Sequence, residues 1–313
     1  MYIRIKSYAG VFGFYLRKYL PNLCSNSYLF MQRVFSNIPN KEYMRMNRKN
    51  IVPLFVNIET VNRCNGNCSF CCCSATRDTR IFKEMDKSLF EKIIFELSDI
   101  EYSGIISLNI NNEPFLDRNM IDKLRFVKKY LPNSYSFLYT NGSLLSTQKI
   151  DVILKEKLVD ELIINNYNEK FKLNDYNKVI YNHLKKQKID IKITINMRYL
   201  NEVLSNRANT SPNKHGSKVI NSYCSIPFTD INIFPNGNVG LCCCDTKEVT
   251  NFGNALNNNI IDIYNNYKFK RLRRKMLLGR NANEFCKFCD FNDIGTRRKI
   301  IKNKIMVLKN GAN

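Results

Sequence analysis

From residue 52 onward the chain alternates two hydrophobic rhythms. Apolar runs of strand length at 52–61, 104–110, 135–139, 161–165 and 189–197 are separated by helical segments. The latter lie at 86–99, 117–130, 147–157 and 175–187. In the first helical segment Leu89, Ile93, Ile94 and Leu97 share one face, and Asp86 stands where a cap belongs. Strand–helix units in series predict parallel strands joined by right-handed crossovers. A closed or partly closed α/β barrel fits, with its chemistry on the loops that follow the strands. Near Ser205 the rhythm stops. The loop-like stretch "SNRANTSPNKHGSK" leads into "DINIF", the turn "PNGN" and "VGLCCCD", which predict a hairpin. A basic helix over 260–278 and a last cysteine pair follow. The expected units are an extension at 1–50, a barrel at 51–215 and a small hairpin-plus-helix domain at 216–313.

Composition changes this picture little. With Lys+Arg 49 against Asp+Glu 27, the formal charge is +22, which suits an anionic partner. The basic residues are dispersed, however, and no dense Lys/Arg block with interleaved aromatics marks a nucleic-acid footprint. The N-terminal stretch "MYIRIKSYAGVFGFYLRKYL" only imitates a signal peptide, because Arg17 and Lys18 interrupt its apolar run. No run reaches the roughly 18 apolar residues of a spanning helix. A basic, aromatic helix over 11–35 fits either a membrane surface or packing against the barrel. The only histidines, His183 and His215, sit in polar surroundings, which leaves little for a His-based metal site or a Ser–His–Asp hydrolase.

Cysteine spacing is the informative chemistry. Twelve cysteines in 313 residues are clustered rather than dispersed, as in metal sites of a reducing compartment, and a cytoplasmic protein is expected. "NRCNGNCSFCCC" places Cys64, Cys68 and Cys71 at C-x3-C-x2-C on the loop after the first strand. Structural zinc takes four ligands, usually as two pairs, and a four-iron cluster normally takes four thiolates. Three tightly spaced thiolates with no fourth at a standard interval would leave one iron of a cubane open. Cys72 and Cys73 read as small buried hydrophobes. Downstream, Cys224, Cys242, Cys286 and Cys289 supply four thiolates for a fully ligated cluster or for zinc. Cys244 shares a strand face with Cys242 and competes with it, and Cys243 is ambiguous.

"CNGNCSFC" resembles the signature of the radical S-adenosylmethionine (radical SAM) superfamily, C-x3-C-x-aromatic-C with Phe70 as the aromatic residue. "NINNEPFLD" resembles that family's Gly-Gly-Glu-Pro segment. "LYTNGSLLS" is similar to the strand-end segment that lines the nucleoside of SAM. The resemblance implies a partial (β/α)6 barrel and a [4Fe-4S] cluster on Cys64, Cys68 and Cys71. It further implies SAM contacts from Phe70, Asn112, Glu113, Thr140 and Asn141, with Glu113 facing the amino group. Asn111 and Asn112 replace the two glycines; asparagine is the next-best residue for a left-handed backbone. The arrangement C-x12-G-x4-C…C-x2-C over Cys224, Gly237, Cys242, Cys286 and Cys289 resembles a SPASM/twitch domain. With no cysteine after Cys289, the shorter form with one auxiliary [4Fe-4S] cluster is implied.

By the same resemblance the chain cleaves SAM reductively and abstracts hydrogen from a substrate carbon. It would oxidise or epimerise a small molecule or sugar, with an electron donor such as flavodoxin or ferredoxin. A peptide- or protein-modifying maturase is the alternative. A noncatalytic iron–sulfur electron carrier is a different class, and such a carrier needs neither an open iron nor the SAM-contact segments. Asp245 is a candidate base or substrate anchor. Arg77 and Arg207 could meet an anionic substrate, with a solvated surface role as the default for each.

Overall fold

A computed structural model describes residues 3–6, 50–215 and 224–291. Eight strands form one sheet: β1 (Ile3–Lys6), β2 (Phe55–Ile58), β3 (Ile105–Ser107), β4 (Tyr135–Thr140), β5 (Glu161–Tyr167), β6 (Lys192–Arg198), β7 (Asp230–Ile233) and β8 (Val239–Gly240). Their spatial order is β1-β6-β5-β4-β3-β2-β7-β8. Every pairing is parallel except the β7–β8 hairpin. Helices α1 (Lys87–Ser98), α2 (Met120–Tyr130), α3 (Thr147–Glu156) and α4 (Asp175–Leu184) connect β2 through β6, and the single turn α5 (Ile226–Thr229) leads into β7. The expected partial α/β barrel is present.

Alternation along the strands sorts the residues onto two faces. Val56, Ile58, Leu138, Leu162, Ile164, Ile193 and Ile195 point to the helices and are almost fully buried against Leu89, Ile93, Ile150, Ile153, Ile180 and Leu184. The other face begins with a small apolar patch, Leu54, Phe55 and Ile105 with Tyr135 and Phe137 against it. It then turns polar. Asn57 donates to Asn232 Oδ1 at 3.1 Å across β2–β7, and Asn196 donates to Asn165 Oδ1 at 3.0 Å across β5–β6.

Three expectations change. The hairpin predicted for the small C-terminal unit puts its first strand, β7, into the main sheet beside β2. Its buried residues, Ile231 and Ile233 among them, join the same hydrophobic cluster as the barrel. The basic helix over 260–278 is two helices, α6 (Ile260–Asn265) and α7 (Tyr267–Leu277). Asn266 breaks it. Its backbone is extended, and its side chain accepts from Phe269 N at 3.0 Å to cap α7. Asp86 occupies the cap position of α1 without capping it; its carboxylate pairs with Lys83 Nζ at 3.1 Å.

At the N-terminus, Ile3–Lys6 pairs with β6 and extends the sheet. The helix considered over 11–35 lies outside the described residues. No helix among the described residues is long and apolar enough to cross a membrane.

Candidate active site

The loop after β2 gathers the first thiols. A Cβ built on Gly66 would meet Cys64 Sγ at 3.5 Å, Asn141 Nδ2 at 3.8 Å and Cys68 Sγ at 4.0 Å, so these groups converge on one point. Gly66 N donates to Cys64 Sγ at 3.3 Å. Burial pushes the Cys64 and Cys68 thiols up to about 12, and the Cys71 thiol is an electrostatic neighbour of both. Burial disfavours bare thiolates at these three half-buried positions, and a bound iron cluster would supply the positive charge that offsets it. Cys72 and Cys73 turn elsewhere. The Cys72 thiol donates to Thr210 Oγ1 at 3.7 Å, and the buried Cys73 thiol to Thr246 O at 3.8 Å. Phe70 is buried against Tyr167, with ring centroids 5.6 Å apart.

Two distant segments lock onto this loop. Glu113 N donates to Arg63 O at 2.9 Å. The buried Glu113 carboxylate accepts from Thr140 Oγ1 at 2.7 Å, Asn141 N at 2.7 Å and Phe115 N at 3.2 Å. Asn141 Nδ2 donates to Asn65 Oδ1 at 2.8 Å. Glu113 thus ties the "NNEP" loop to the end of β4, and Asn141 ties both to the cysteine loop. The side-chain amides of Asn111 and Asn112 each hold a buried NH2 without a protein acceptor. Neither residue is left-handed, so the reason given for asparagine in place of glycine does not hold. Asn111 instead uses its polar atoms: its N–H donates to Glu59 Oε1 at 3.1 Å, and its Oδ1 accepts from Arg207.

The second group forms where β8, the α7 terminus and the 3-10 turn Cys286–Phe288 meet. Cys224, Cys242, Cys244, Cys286 and Cys289 line one cavity with Arg280, Phe285 and Phe291. Cys224 and Cys286 are each electrostatic neighbours of both Cys242 and Cys289, which groups those four. Cys244 is the fifth thiol, beside Cys289 and Cys242. Arg207 stands between the two groups. Its Nη2 donates to Asn111 Oδ1 at 2.5 Å and to Cys243 O at 2.9 Å, and its neighbours include the thiols of Cys71, Cys72, Cys243 and Cys244. It is not the solvated surface residue taken as the default.

Comparison with known proteins agrees with this geometry. Residues 58–168 match the radical SAM superfamily, and residues 224–290 match SPASM, an iron-sulfur cluster-binding domain. The chain belongs to the radical SAM superfamily and carries a SPASM domain. A curated relative, the S-adenosyl-L-methionine-dependent 2-deoxy-scyllo-inosamine dehydrogenase of Niallia circulans, is 25% identical over 245 residues, covering 78% of this chain and 95% of that protein. The crystal structure of BtrN in complex with AdoMet and 2-DOIA has a TM-score of 0.64 at 23% identity, covering 77% of this chain and 94% of that one. Native anSMEcpe with bound AdoMet has a TM-score of 0.52 at 15% identity, covering 75% of this chain and 88% of that one. Both structures share the fold.

As a radical SAM enzyme the protein binds SAM and a [4Fe-4S] cluster, and its SPASM domain binds auxiliary iron–sulfur clusters. The residues present fit both groups: three converging thiols without a fourth in one place, four grouped thiols in the other. Held by Cys64, Cys68 and Cys71, a bound cluster would supply the electron for reductive cleavage of SAM.

Asp245 adjoins the second cysteine group, with its N–H donating to Cys242 O at 3.0 Å, but its carboxylate is engaged elsewhere. Its buried carboxylate accepts from Val249 N at 2.9 Å and from Thr250 N at 3.0 Å, and also from the Thr250 hydroxyl. It closes the turn after Cys244, which leaves little of it for a substrate. Arg77 donates to Cys68 O at 3.2 Å and Ser74 Oγ at 3.1 Å, bracing the cysteine loop. His183 pairs with Asp151 at 2.7 Å away from the site.

Sequence reading passed over Glu59 and Arg80. Glu59, fully buried after β2, receives Arg80 Nη1 at 2.8 Å, while Arg80 also holds Asp78 at 2.9 Å and Glu248 at 3.3 Å. Burial pushes the Glu59 carboxyl up to about 7 against the pull of Arg80. The available signal was one acid in the apolar run "VNIETV", at the end of a barrel strand where chemistry concentrates.

Proposed function

We propose that this radical SAM enzyme is a dehydrogenase that oxidises a secondary alcohol of a polyhydroxylated small ring or sugar to a ketone. The observation that carries this reading is Arg207. One side chain reaches Asn111 beside the first cysteine group and the Cys243 carbonyl beside the second. A substrate held at Arg207 would therefore have the hydrogen-abstracting centre on one side and an electron-accepting cluster on the other. Loss of H• to the 5′-deoxyadenosyl radical, then of one proton and one electron, converts an alcohol carbon to a carbonyl. The inner sheet face supplies amides at Asn57, Asn165, Asn196 and Asn232, which suit hydroxyl groups. The relative from Niallia circulans, a dehydrogenase by name, supports an aminocyclitol-like substrate.

Within this reading Cys224, Cys242, Cys286 and Cys289 hold one auxiliary [4Fe-4S] cluster. Phe70, Asn112, Glu113, Thr140 and Asn141 frame SAM. Asn112 brings an unpaired amide NH2 to that frame. Thr140 and Asn141 act partly by fixing Glu113. The charge of +22 suits an acidic electron donor such as flavodoxin or ferredoxin.

The test uses anaerobically reconstituted enzyme with SAM, a reductant and aminocyclitols or inositols carrying deuterium at one carbinol carbon. A dehydrogenase yields deuterated 5′-deoxyadenosine and an equal amount of ketone. Recovery of a substrate with inverted configuration, and no ketone, would replace this reading with epimerisation. Arg207→Met is expected to lower ketone formation at least about tenfold, about 1.4 kcal/mol of barrier, with the iron content unchanged.

A further inference from the structure

Arg280 presents a problem of charge. It opens the 3-10 turn Arg280–Ala282 after α7 and is only 2% exposed. Its Nη1 donates to Cys289 O at 3.0 Å, and its Nε has no hydrogen-bond partner in the protein. Among the described residues no ion pair includes it. Glu284, the nearest acid in sequence, pairs with Lys287, and Asp290 is taken by Lys214 at 2.5 Å and by Asn206 N at 2.6 Å. Arginine cannot shed its proton in a protein, so this is a permanent buried cation. Leaving such a charge uncompensated costs several kcal/mol.

Arg273, on α7, is buried without an acid as well, but it has other company. It lies over the rings of Tyr264 and Phe269, 4.2 and 5.3 Å from their centroids, and donates to Pro227 O and Tyr264 O. Among the described residues no aromatic ring lies over Arg280. It shares its cavity with Cys224, Cys242, Cys244, Cys286 and Cys289.

We infer that Arg280 is the fixed counter-cation of the auxiliary cluster and raises its reduction potential, so that the cluster accepts the electron released by the substrate. The inference rests on the dehydrogenase reading above. A cluster held by four thiolates is anionic, and taking one electron adds one negative charge. A guanidinium in the same low-dielectric cavity stabilises the reduced form more than the oxidised form. Arg280 is thus a positioning residue of charge that acts through the cluster.

The experiment is a redox titration of the holoenzyme followed by electron paramagnetic resonance. The auxiliary signal is the one that does not change when SAM is added. Arg280→Gln is expected to keep iron and sulfide at wild-type levels. At fixed potential its ratio of reduced to oxidised auxiliary cluster should fall by about tenfold or more, about 59 mV for a one-electron couple. Arg280→Lys, which keeps the charge, should recover most of that loss. Should Arg280→Gln fail to load the auxiliary cluster while Arg280→Lys loads it at near wild-type potential, the need for charge is equally supported. An unchanged potential in loaded Arg280→Gln overturns the inference. So does equal loss of the cluster in both variants, which would make the residue a packing element. The potential is read without any substrate, so a wrong assignment of the overall reaction leaves this result intact.

Discussion

Glu59 shows how burial and pairing compete at a single side chain. Desolvation lifts its carboxyl from the usual 4.5 to about 7 although Arg80 touches it. Between those values the native state holds a proton that the unfolded chain has released. Stability should therefore fall as pH rises through that window, by at most about 1.4 kcal/mol per unit, and level off above it. Glu59→Gln, neutral throughout, is expected to flatten that slope in urea melts run across the same window. Gly142 shows a different constraint. Its φ is +85°, and an added Cβ would stand 2.0 Å from Asn177 Oδ1 and 3.2 Å from Ile164 Cγ2. Gly142→Ala should destabilise by about 1–3 kcal/mol. Pairing it with Asn177→Ala removes the clash but not the backbone strain, so a denaturation cycle should show only partial recovery.

Among the elements, the turn that presents Arg207 carries consecutive backbone strain. Arg207, Ala208 and Asn209 are left-handed in succession, with φ of 49°, 56° and 66°. Such geometry costs roughly 1–2 kcal/mol for a residue such as Arg207 or Ala208, and less for Asn209. It is held from outside: Asn206 donates to Phe288 O at 2.6 Å and accepts from Asp290 N at 3.1 Å. The turn is thereby clamped to the segment bearing Cys286 and Cys289, which aims the guanidinium between the two cysteine groups. The break between α6 and α7 works by an ordinary cap. Asn266→Ala removes the bond to Phe269 N and the 2.7 Å bond to Phe252 O. A loss of about 1 kcal/mol or somewhat more is expected from thermal melts, with the iron content unaffected.

For the whole molecule, the two cysteine groups should separate by function. Cys64→Ala is expected to abolish 5′-deoxyadenosine formation and remove about four irons per chain, one cubane. Cys286→Ala should lose a similar amount of iron yet retain SAM cleavage while failing to release ketone. Iron and sulfide analysis beside product chromatography checks both, and equal loss of SAM cleavage in the two variants would contradict the division of labour. The amino-acid sequence by itself determined the barrel and the chemistry. Strand–helix periodicity is local, and C-x3-C-x2-C places three thiols on one loop whatever surrounds them. Glu113, Thr140 and Asn141 stood out only by resemblance to short family segments, and the fold brings the three into contact. What only the tertiary structure decided depends on contacts between residues far apart in the chain. Asp245 looked available until Val249 and Thr250 were seen to occupy it. Arg280 looked like any of 49 basic residues, and Arg207 like a candidate with a surface default, until folding set each beside cysteines from distant segments. No local pattern encodes that setting, because the energy of a charge is set by the dielectric and the partners that the finished fold brings to it.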